Sequence, residues 1–402
     1  MSSADLPQLI TDIQSHARDT RFEAVSNLRK LLSIEREPPI DAAIAAGALP
    51  LLVELLMPMH DGEPQLQYQS AWALTNITAG SSAHVNAVFE AGALSVLIER
   101  CCASPFADVR EQSLWCLGNI AGDSPRFRDV ALAFGALQPV LENLGDPDHP
   151  RVVRTGAWVL ANLLRGSPPP SSLRDMAPMV MRALTFLLSN SDDVDVVADA
   201  VRALASLSDN AAVDQAALIA VAPKLVQLVR TRRDVGTLDP LLSVLGALAA
   251  ESDAHRQVLL DADVLDGLAR TLSDEELACQ TCWVIGGLLG GSAAQVQTVL
   301  DAEGWLHALT RVAHSAPLDS AGEAAIALAN ATTNATRAQI DQLLLGGLLR
   351  TLHTPHARGC SDPRYARALG RAVRNLSSSG VEMAALESSG LLAIVNLKPQ
   401  QT

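Results

Sequence analysis

The sequence predicts an all-α fold built from stacked helical repeats. Three observations support this prediction: a tryptophan-centred segment recurs along the chain, apolar residues follow helical spacing, and aromatic residues are rare. Of the 402 residues, 49% are hydrophobic but only 3% are aromatic, a composition that fits closely packed helices. No convincing run of alternating polar and apolar residues indicates a β-strand.

The recurring segment contains a tryptophan, an asparagine four residues later and a closing glycine. It is clearest in "SAWALTNITAGSS", "SLWCLGNIAGDSP" and "GAWVLANLLRGSP". Fainter copies follow, and the positions in tryptophan phase lie 40 to 44 residues apart: Trp72, Trp115, Trp158, Arg202, Ser243, Trp283 and Ile326. A second marker, first seen as "AAGALPLLVELL", recurs in step with it. Such self-similarity is typical of armadillo or HEAT repeats.

The repeats continue without a Ser-, Gly- or Pro-rich linker, so we expect a single domain over residues 1–402. We interpret each repeat as a short helix, a glycine-marked turn, a second helix, a polar turn and a longer third helix that carries the tryptophan phase. The prediction is a right-handed superhelical solenoid of about nine such three-helix units, incomplete at both ends.

Three successive third helices each present an indole and a carboxamide on one face, because residues four apart on a helix share a face. The pairs are Trp72 with Asn76, Trp115 with Asn119, and Trp158 with Asn162. We call this arrangement the ladder. Its regular spacing suits a long, extended ligand better than a small molecule.

Acidic residues outnumber basic ones, and several of them flank the ladder phase. With 44 acids and 30 bases the net charge is −14, which argues against nucleic acid and favours a cationic partner, although solubility alone would also explain it. The flanking acids are Glu111, Asp123, Asp199, Asp253 and Glu323. We therefore expect a negatively charged concave groove beside exposed indoles.

A groove of this kind fits an extended peptide that contains lysine and arginine. The apolar stem of such a side chain can lie between indoles while its cationic head reaches a carboxylate. Asparagine can donate to and accept from a peptide backbone of any sequence. The competing interpretation, that Trp72, Trp115 and Trp158 are buried packing residues, leaves the coupled asparagines unexplained.

The same segments resemble a known family. "NLRKLLSIEREPPIDAAIAAGALP" from Asn27, "AWALTNITAG" and "WCLGNIAGDSPRFRD" are similar to motifs of the importin-alpha family, the adaptors that recognise nuclear localisation signals. The similarity covers roughly residues 5 to 395 and is strongest between Arg29 and Arg165. It implies an armadillo fold and a nuclear import adaptor that binds Lys/Arg-rich signals.

The resemblance also implies roles for single residues. The three ladder pairs would form the major peptide site together with Gly80, Glu111, Asp123 and Asp199. Gly80 and Asp123 match the pocket for the key lysine, and Glu111 and Asp199 match acids of neighbouring subsites. Val85 stands where the family usually has a threonine.

The second, minor site of the family is only partly preserved. The retained residues are Asp253, Trp283, Glu323 and Asn330. The replaced ladder positions are Ser243, Ala247, Gly287 and Ile326. We expect this site to be weak or lost. We also expect the family's importin-beta-binding arm to be missing and the last repeat to be truncated, so importin-beta is a partner only if the native protein has such an arm.

Other classes of protein find little support. No apolar run reaches the roughly 18–20 residues that span a bilayer, and the start lacks a signal-peptide pattern, so we expect the cytoplasm and nucleus. No HExxH, nucleophile elbow or phosphate loop is present. We expect no enzyme activity, cofactor or metal, and interpret Cys279 and Cys282 as packing residues. Two alternatives remain: an armadillo scaffold of the beta-catenin kind, and a decayed importin-alpha relative that binds basic peptides without transport.

Overall fold

The computed structural model describes residues 5–60, 62–210 and 214–396, and the regular structure in these ranges is helical throughout. The chain divides into two compact units, Met1–Ala212 and Val213–Thr402. Within the described ranges no helix combines the length and the apolar character that crossing a membrane requires.

The helices of the first unit are α1 Leu6–Ile13, α2 Arg18–Leu32, α3 Ile40–Ala45, α4 Ala48–Glu54, α5 Pro64–Thr78, α6 Ser82–Glu90, α7 Ala93–Ala103, α8 Ala107–Asp123, α9 Pro125–Ala133, α10 Leu137–Asn143, α11 Pro150–Leu164, α12 Leu173–Asn190 and α13 Val194–Asp209. A short 3-10 turn, Pro58–His60, precedes α5.

The helices of the second unit are α14 Gln215–Thr231, α15 Val235–Glu251, α16 Asp253–Asp261, α17 Val264–Thr271, α18 Ala278–Leu289, α19 Ala293–Asp301, α20 Trp305–Ser315, α21 Leu318–Ala331, α22 Arg337–Leu345, α23 Leu348–Ala357, α24 Pro363–Ser378, α25 Met383–Ser388 and α26 Leu391–Asn396.

Most repeats consist of two short helices followed by a longer one, which we call the ladder helix. The ladder helices are α2, α5, α8, α11 and α13 in the first unit and α15, α18, α21 and α24 in the second. The predicted all-α armadillo architecture of about nine repeats is therefore confirmed.

A left-handed backbone residue separates the two short helices of most repeats. Gly47, Gly92 and Gly135 have φ angles of 85°, 80° and 85°, and Asp263 has 62° at the same place in a later repeat. Glycine adopts this conformation without the steric cost of a Cβ atom. The glycine-marked turn expected from the sequence is therefore the point at which the chain reverses.

Two repeats have two helices, whereas the sequence predicts three. Their first helices, α12 and α14, continue through the place where other repeats turn, with Pro178 and Pro223 inside them. No residue with positive φ interrupts either helix. Without a glycine to stop the first short helix, it extends into the second.

Each ladder helix buries one apolar face and leaves the opposite face accessible. Leu74 of α5, Leu117 of α8 and Leu160 of α11 are fully buried, and burying each side chain of this kind contributes about 1.5–3 kcal/mol. The tryptophans two residues earlier, Trp72, Trp115 and Trp158, lie on the more accessible side of the same helices.

Candidate functional site

The three indoles predicted for the major site line one groove of the first unit. The groove has a volume of about 690 Å³ and lies across α5, α8, α11 and α13. Trp115 is 49% exposed, and Trp72 and Trp158 are half-buried. The structure thus brings the ladder tryptophans together at an accessible surface and not in the core.

A glycine of the preceding ladder helix makes room for an indole. A Cβ atom on Gly118 would lie 2.2 Å from Cζ3 of Trp158, and one on Gly246 would lie 2.3 Å from Cε3 of Trp283. Both distances are too short for real atoms, so glycine is required where the ring lies flat. These glycines follow the tryptophan phase by three residues, a signal that the sequence analysis missed.

Trp72 already carries a cation on its ring. The guanidinium carbon of Arg29 lies 4.1 Å from the centroid of the indole, while Arg29 Nε donates to Gln69 Oε1 at 2.9 Å. This stacking is the contact expected for a peptide cation at the ladder. It also means that one face of Trp72 is occupied by the protein's own side chain.

The ladder asparagines tie neighbouring repeats together. Asn119 Nδ2 donates to the carbonyl oxygen of Thr75 and to Oγ1 of Thr78, both at 3.2 Å. Asn162 Nδ2 donates to the carbonyl of Gly118 at 3.2 Å, and Asn76 Nδ2 donates to Oγ of Ser33 at 2.8 Å.

The Nδ2 group of each ladder asparagine therefore donates to an acceptor within the protein. Within the part of the chain that the structure describes, no donor reaches the Oδ1 atom of Asn76, Asn119 or Asn162. Asn76 and Asn119 are partly exposed, whereas Asn162 is only 5% exposed. The amides of Asn76 and Asn119 are thus free to accept from a peptide N–H, and the expected two-way recognition of the peptide backbone is reduced to acceptance.

Most of the predicted acids are already paired with arginines. Oε2 of Glu111 accepts from Nη2 and Nε of Arg151 at 2.5 and 2.9 Å, and Asp199 pairs with Arg202 one turn along the same helix. Burial raises the pKa of Asp199, and the nearby guanidinium of Arg202 only partly opposes this.

The groove is balanced in charge instead of negative. Its lining contains the acids Glu111, Asp195 and Asp199 and the arginines Arg151, Arg154 and Arg202. The expectation of an acidic groove along the indoles is therefore wrong, because arginines of the ladder helices neutralise the carboxylates that flank them.

Asp123 is the exception among the predicted acids. Its Oδ1 accepts a hydrogen bond from Oγ of Ser82 at 2.7 Å, and no arginine, lysine or histidine among the described residues forms an ion pair with it. Nearby, Gly80 leaves no room for a side chain, since a Cβ there would lie 2.3 Å from Nδ1 of His84. Val85, at the threonine position of the family, is buried.

The residues predicted for the minor site lie in the second unit. Trp283, Glu323 and Asn330 line a pocket of about 300 Å³ together with Ile326. Asp253 is not part of this lining, and its Oδ1 accepts from Nη1 of Arg256 at 2.7 Å.

The polar groups of this pocket are also engaged. Glu323 pairs with Arg364 at 2.7 Å, and burial raises the pKa of that carboxyl. Asn330 Nδ2 donates to the carbonyl of Gly286 at 3.0 Å, and its Oδ1 accepts from Nη2 of Arg371 at 3.1 Å. Each end of the amide therefore already has a partner within the protein.

The structure adds a ladder position that sequence reasoning missed. Asn375 Nδ2 on α24 donates to Oγ1 of Thr332 at 3.2 Å, as Asn119 does to Thr78 in the first unit. Arg371 stands four residues before Asn375, at the position where four other repeats have tryptophan. The spacing of the asparagines could have indicated this position, but it was overlooked because its repeat has no tryptophan.

Metal and thiol chemistry find no support at these sites. Among the residues that the structure describes, no group of three or more His, Cys, Asp or Glu side chains could hold a metal ion. Cys279 and Cys282 are free thiols, and burial raises the pKa of both, which disfavours the reactive thiolate.

Comparison with known proteins finds similarity to a repeat model and to importin alpha subunits. The Armadillo/beta-catenin-like repeat model matches residues 36–79 and 81–122. Importin subunit alpha-4 of Arabidopsis thaliana is 35% identical over 401 residues, which cover 98% of this chain and 72% of that protein. Importin subunit alpha-1a of Oryza sativa subsp. japonica is 36% identical over 304 residues, covering 74% of this chain and 56% of that protein.

A third relative, importin subunit alpha-3 of Arabidopsis thaliana, is 36% identical over 286 residues, covering 69% of this chain and 52% of that protein. The chain thus matches about half the length of alpha-1a and alpha-3. Among solved structures, the crystal structure of an engineered protein from the Northeast Structural Genomics Consortium gives a TM-score of 0.79 at 23% identity, covering 98% of this chain and 93% of that chain. This likeness concerns the fold alone.

Proposed function

This chain belongs to the importin-alpha family, and we propose that it acts as a nuclear import adaptor. In this proposal the ladder groove of the first unit binds a Lys/Arg-containing nuclear localisation segment in extended form. The protein would work in the cytoplasm and nucleus, with cargo proteins as partners and without enzymatic activity.

The observation that carries the proposal is the state of Asp123. It is the one predicted site acid without a cationic partner among the described residues. It is the last residue of α8, four residues after the ladder residue Asn119. A lysine ammonium placed beside it would form a charge-assisted hydrogen bond, which is stronger than a neutral one. Asp123 is therefore the proposed anchor for one peptide lysine.

The indoles and amides supply the rest of the proposed site. The exposed ring of Trp115 can pack against the apolar stem of a neighbouring peptide lysine or arginine, as Trp72 does with Arg29. The Oδ1 atoms of Asn76 and Asn119 can accept from peptide N–H groups. The lysine anchored at Asp123 would then determine which peptide sequences bind, and the hydrogen bonds to the amides would hold the peptide in an extended form.

The minor site contributes little in this proposal. Arg364 and Arg371 of the protein itself occupy Glu323 and Asn330, so a second basic cluster would have to displace them. Importin-beta is a proposed partner only if the native protein carries a basic arm that binds it.

The test compares Asp123→Lys with a matched control, Glu90→Lys. Glu90 is an exposed acid at the end of α6, and like Asp123 it does not line the pocket formed by the three indoles. Both substitutions replace a carboxylate by an ammonium group, so they change the net charge equally. In titration calorimetry with a monopartite lysine-rich peptide, Asp123→Lys should abolish binding while Glu90→Lys retains it. Equal affinities for the two variants would overturn the proposed site.

Transport needs its own measurement. A protein that binds basic peptides without carrying them would pass the calorimetric test. It would not bring a reporter fused to the same peptide into the nuclei of permeabilised cells supplied with the full native protein and importin-beta. Nuclear accumulation that is lost with Asp123→Lys would support the adaptor function.

A further inference from the structure

Helix α24 carries a stripe of arginines on its exposed face. The stripe consists of Arg364, Arg367, Arg371 and Arg374, all exposed, and α24 contains no acidic residue. At 3.6 residues per turn, this spacing places the four side chains within about 80° of arc. The opposite, apolar face of the helix is buried, so the stripe points away from the core.

Much of this positive charge is not neutralised by the chain itself. Arg364 pairs with Glu323 and Asp362, each at 2.7 Å, and Arg371 donates to the uncharged Oδ1 of Asn330. Arg367 lies close enough to Asp362 to help lower the pKa of that carboxyl, but neither Arg367 nor Arg374 forms an ion pair with a carboxylate in the described part of the chain. The stripe is thus a local excess of positive charge in a protein whose net charge is −14.

The stripe lies on the ladder surface of the second unit. Arg371 takes the tryptophan position of its repeat, and Asn375 takes the asparagine position, as its bond to Thr332 shows. This repeat therefore keeps the amide of the ladder but presents guanidinium groups where the first unit presents indoles.

We propose that the arginine stripe of α24 is a docking surface for an acidic peptide segment of a partner protein. Guanidinium groups bind carboxylates with two parallel hydrogen bonds, which gives both strength and orientation. From Arg364 to Arg374 the helix rises about 15 Å, the length of about five residues of extended chain.

The overall charge of the chain favours a peptide over a nucleic acid. A long polyanion would be repelled by the other acidic surfaces, whereas a short acidic segment meets only the stripe. The stripe contains none of the residues proposed for the basic-peptide site of the first unit, so failure of one proposal leaves the other unaffected.

The experiment measures the fluorescence anisotropy of a labelled peptide with about five consecutive Asp and Glu residues, the length matched to the stripe. The double variant Arg367→Glu/Arg374→Glu should bind it at least about tenfold more weakly than the wild type, because like charges then face each other. The matched control is Arg174→Glu/Arg182→Glu, which makes the same charge change at two exposed positions of α12. The control should bind within about twofold of the wild type if the effect is local.

Three results would overturn the proposal: no binding of the acidic peptide to the wild type at low salt, an equal loss in both double variants, or preferential binding of single-stranded DNA of the same charge. Circular dichroism should show unchanged helicity in the stripe variant. If that variant loses helicity, Arg367→Gln/Arg374→Gln replaces it, and a loss of affinity confined to these positions is again required.

Discussion

Replacing Arg151 by alanine should strengthen the binding of a lysine-rich peptide. The guanidinium of Arg151 binds Glu111 through two nitrogen atoms at 2.5 and 2.9 Å. The Glu111 side chain is 15% exposed, whereas that of Arg151 is 63% exposed. A peptide cation must therefore displace Arg151 before it can pair with Glu111, and the alanine variant removes this competitor.

The size of the effect follows from the exposure of the pair. Because Arg151 lies mostly in water, its ion pair is screened and contributes about 0.2–1 kcal/mol. Removing it should lower the free energy of unfolding by no more than that amount. The peptide should gain up to about 1 kcal/mol, or roughly fivefold in Kd.

Titration calorimetry of wild type, Arg151→Ala, Glu111→Gln and the double variant would measure this. The gain from Arg151→Ala should disappear in the Glu111→Gln background, because the released carboxylate is then absent. Arg174→Ala, an exposed change on α12, is the control and should leave the Kd unchanged. Weaker or equal binding by Arg151→Ala would refute the reasoning, as would a gain that persists without the carboxylate.

Three further predictions concern the ladder, the minor site and pH. Trp115→Ala should cost about 2 kcal/mol or more in peptide binding. Because the indole is 49% exposed, the circular dichroism of this variant should be unchanged, and a loss of helicity would show that Trp115 is a core residue. In calorimetry, the Kd of a bipartite peptide should lie within about threefold, roughly 0.6 kcal/mol, of the Kd of its major-site half, because Glu323 and Asn330 already bind arginines of the protein. A hundredfold gain in affinity, about 2.8 kcal/mol, would contradict this. Asp199→Asn should raise the free energy of urea unfolding at neutral pH, because burial raises the pKa of Asp199 and so destabilises its ionised form in the fold. This advantage should vanish as pH falls through that raised pKa toward the ordinary value, and a gap independent of pH would speak against it.

Much of the fold could be predicted because its signals are local. Gly47, Gly92 and Gly135 mark the turns between short helices, since a positive φ is easily adopted by glycine. The tryptophan phase fell on ladder helices for the same reason, because spacing along one helix determines which side chains share a face. The sequence pattern predicted two short helices where the structure has one continuous helix, α12 or α14. Neither helix contains the glycine that marks the turn in other repeats.

The candidate site was predicted in part. The ladder tryptophans do line one groove, and Asp123 forms no ion pair among the described residues. The balanced charge of the groove was not foreseen, because Arg151 and Arg154 of α11 pair with Glu111 of α8 and Asp195 of α13 only when the helices pack. The Asp199–Arg202 pair lies within α13, and its spacing of three residues could have indicated it. The glycine beneath Trp158 was also overlooked, since its role appears only when two repeats are stacked.

The sequence by itself determined the helical class, the repeat period and the residues that share each ladder face, because these depend on neighbours three or four positions apart. Only the tertiary structure decided which of the polar groups remain available to a ligand. Glu111 meets Arg151, and Glu323 meets Arg364, across the interface between successive ladder helices. Such partners lie about one repeat apart in the chain and come together only when the helices pack.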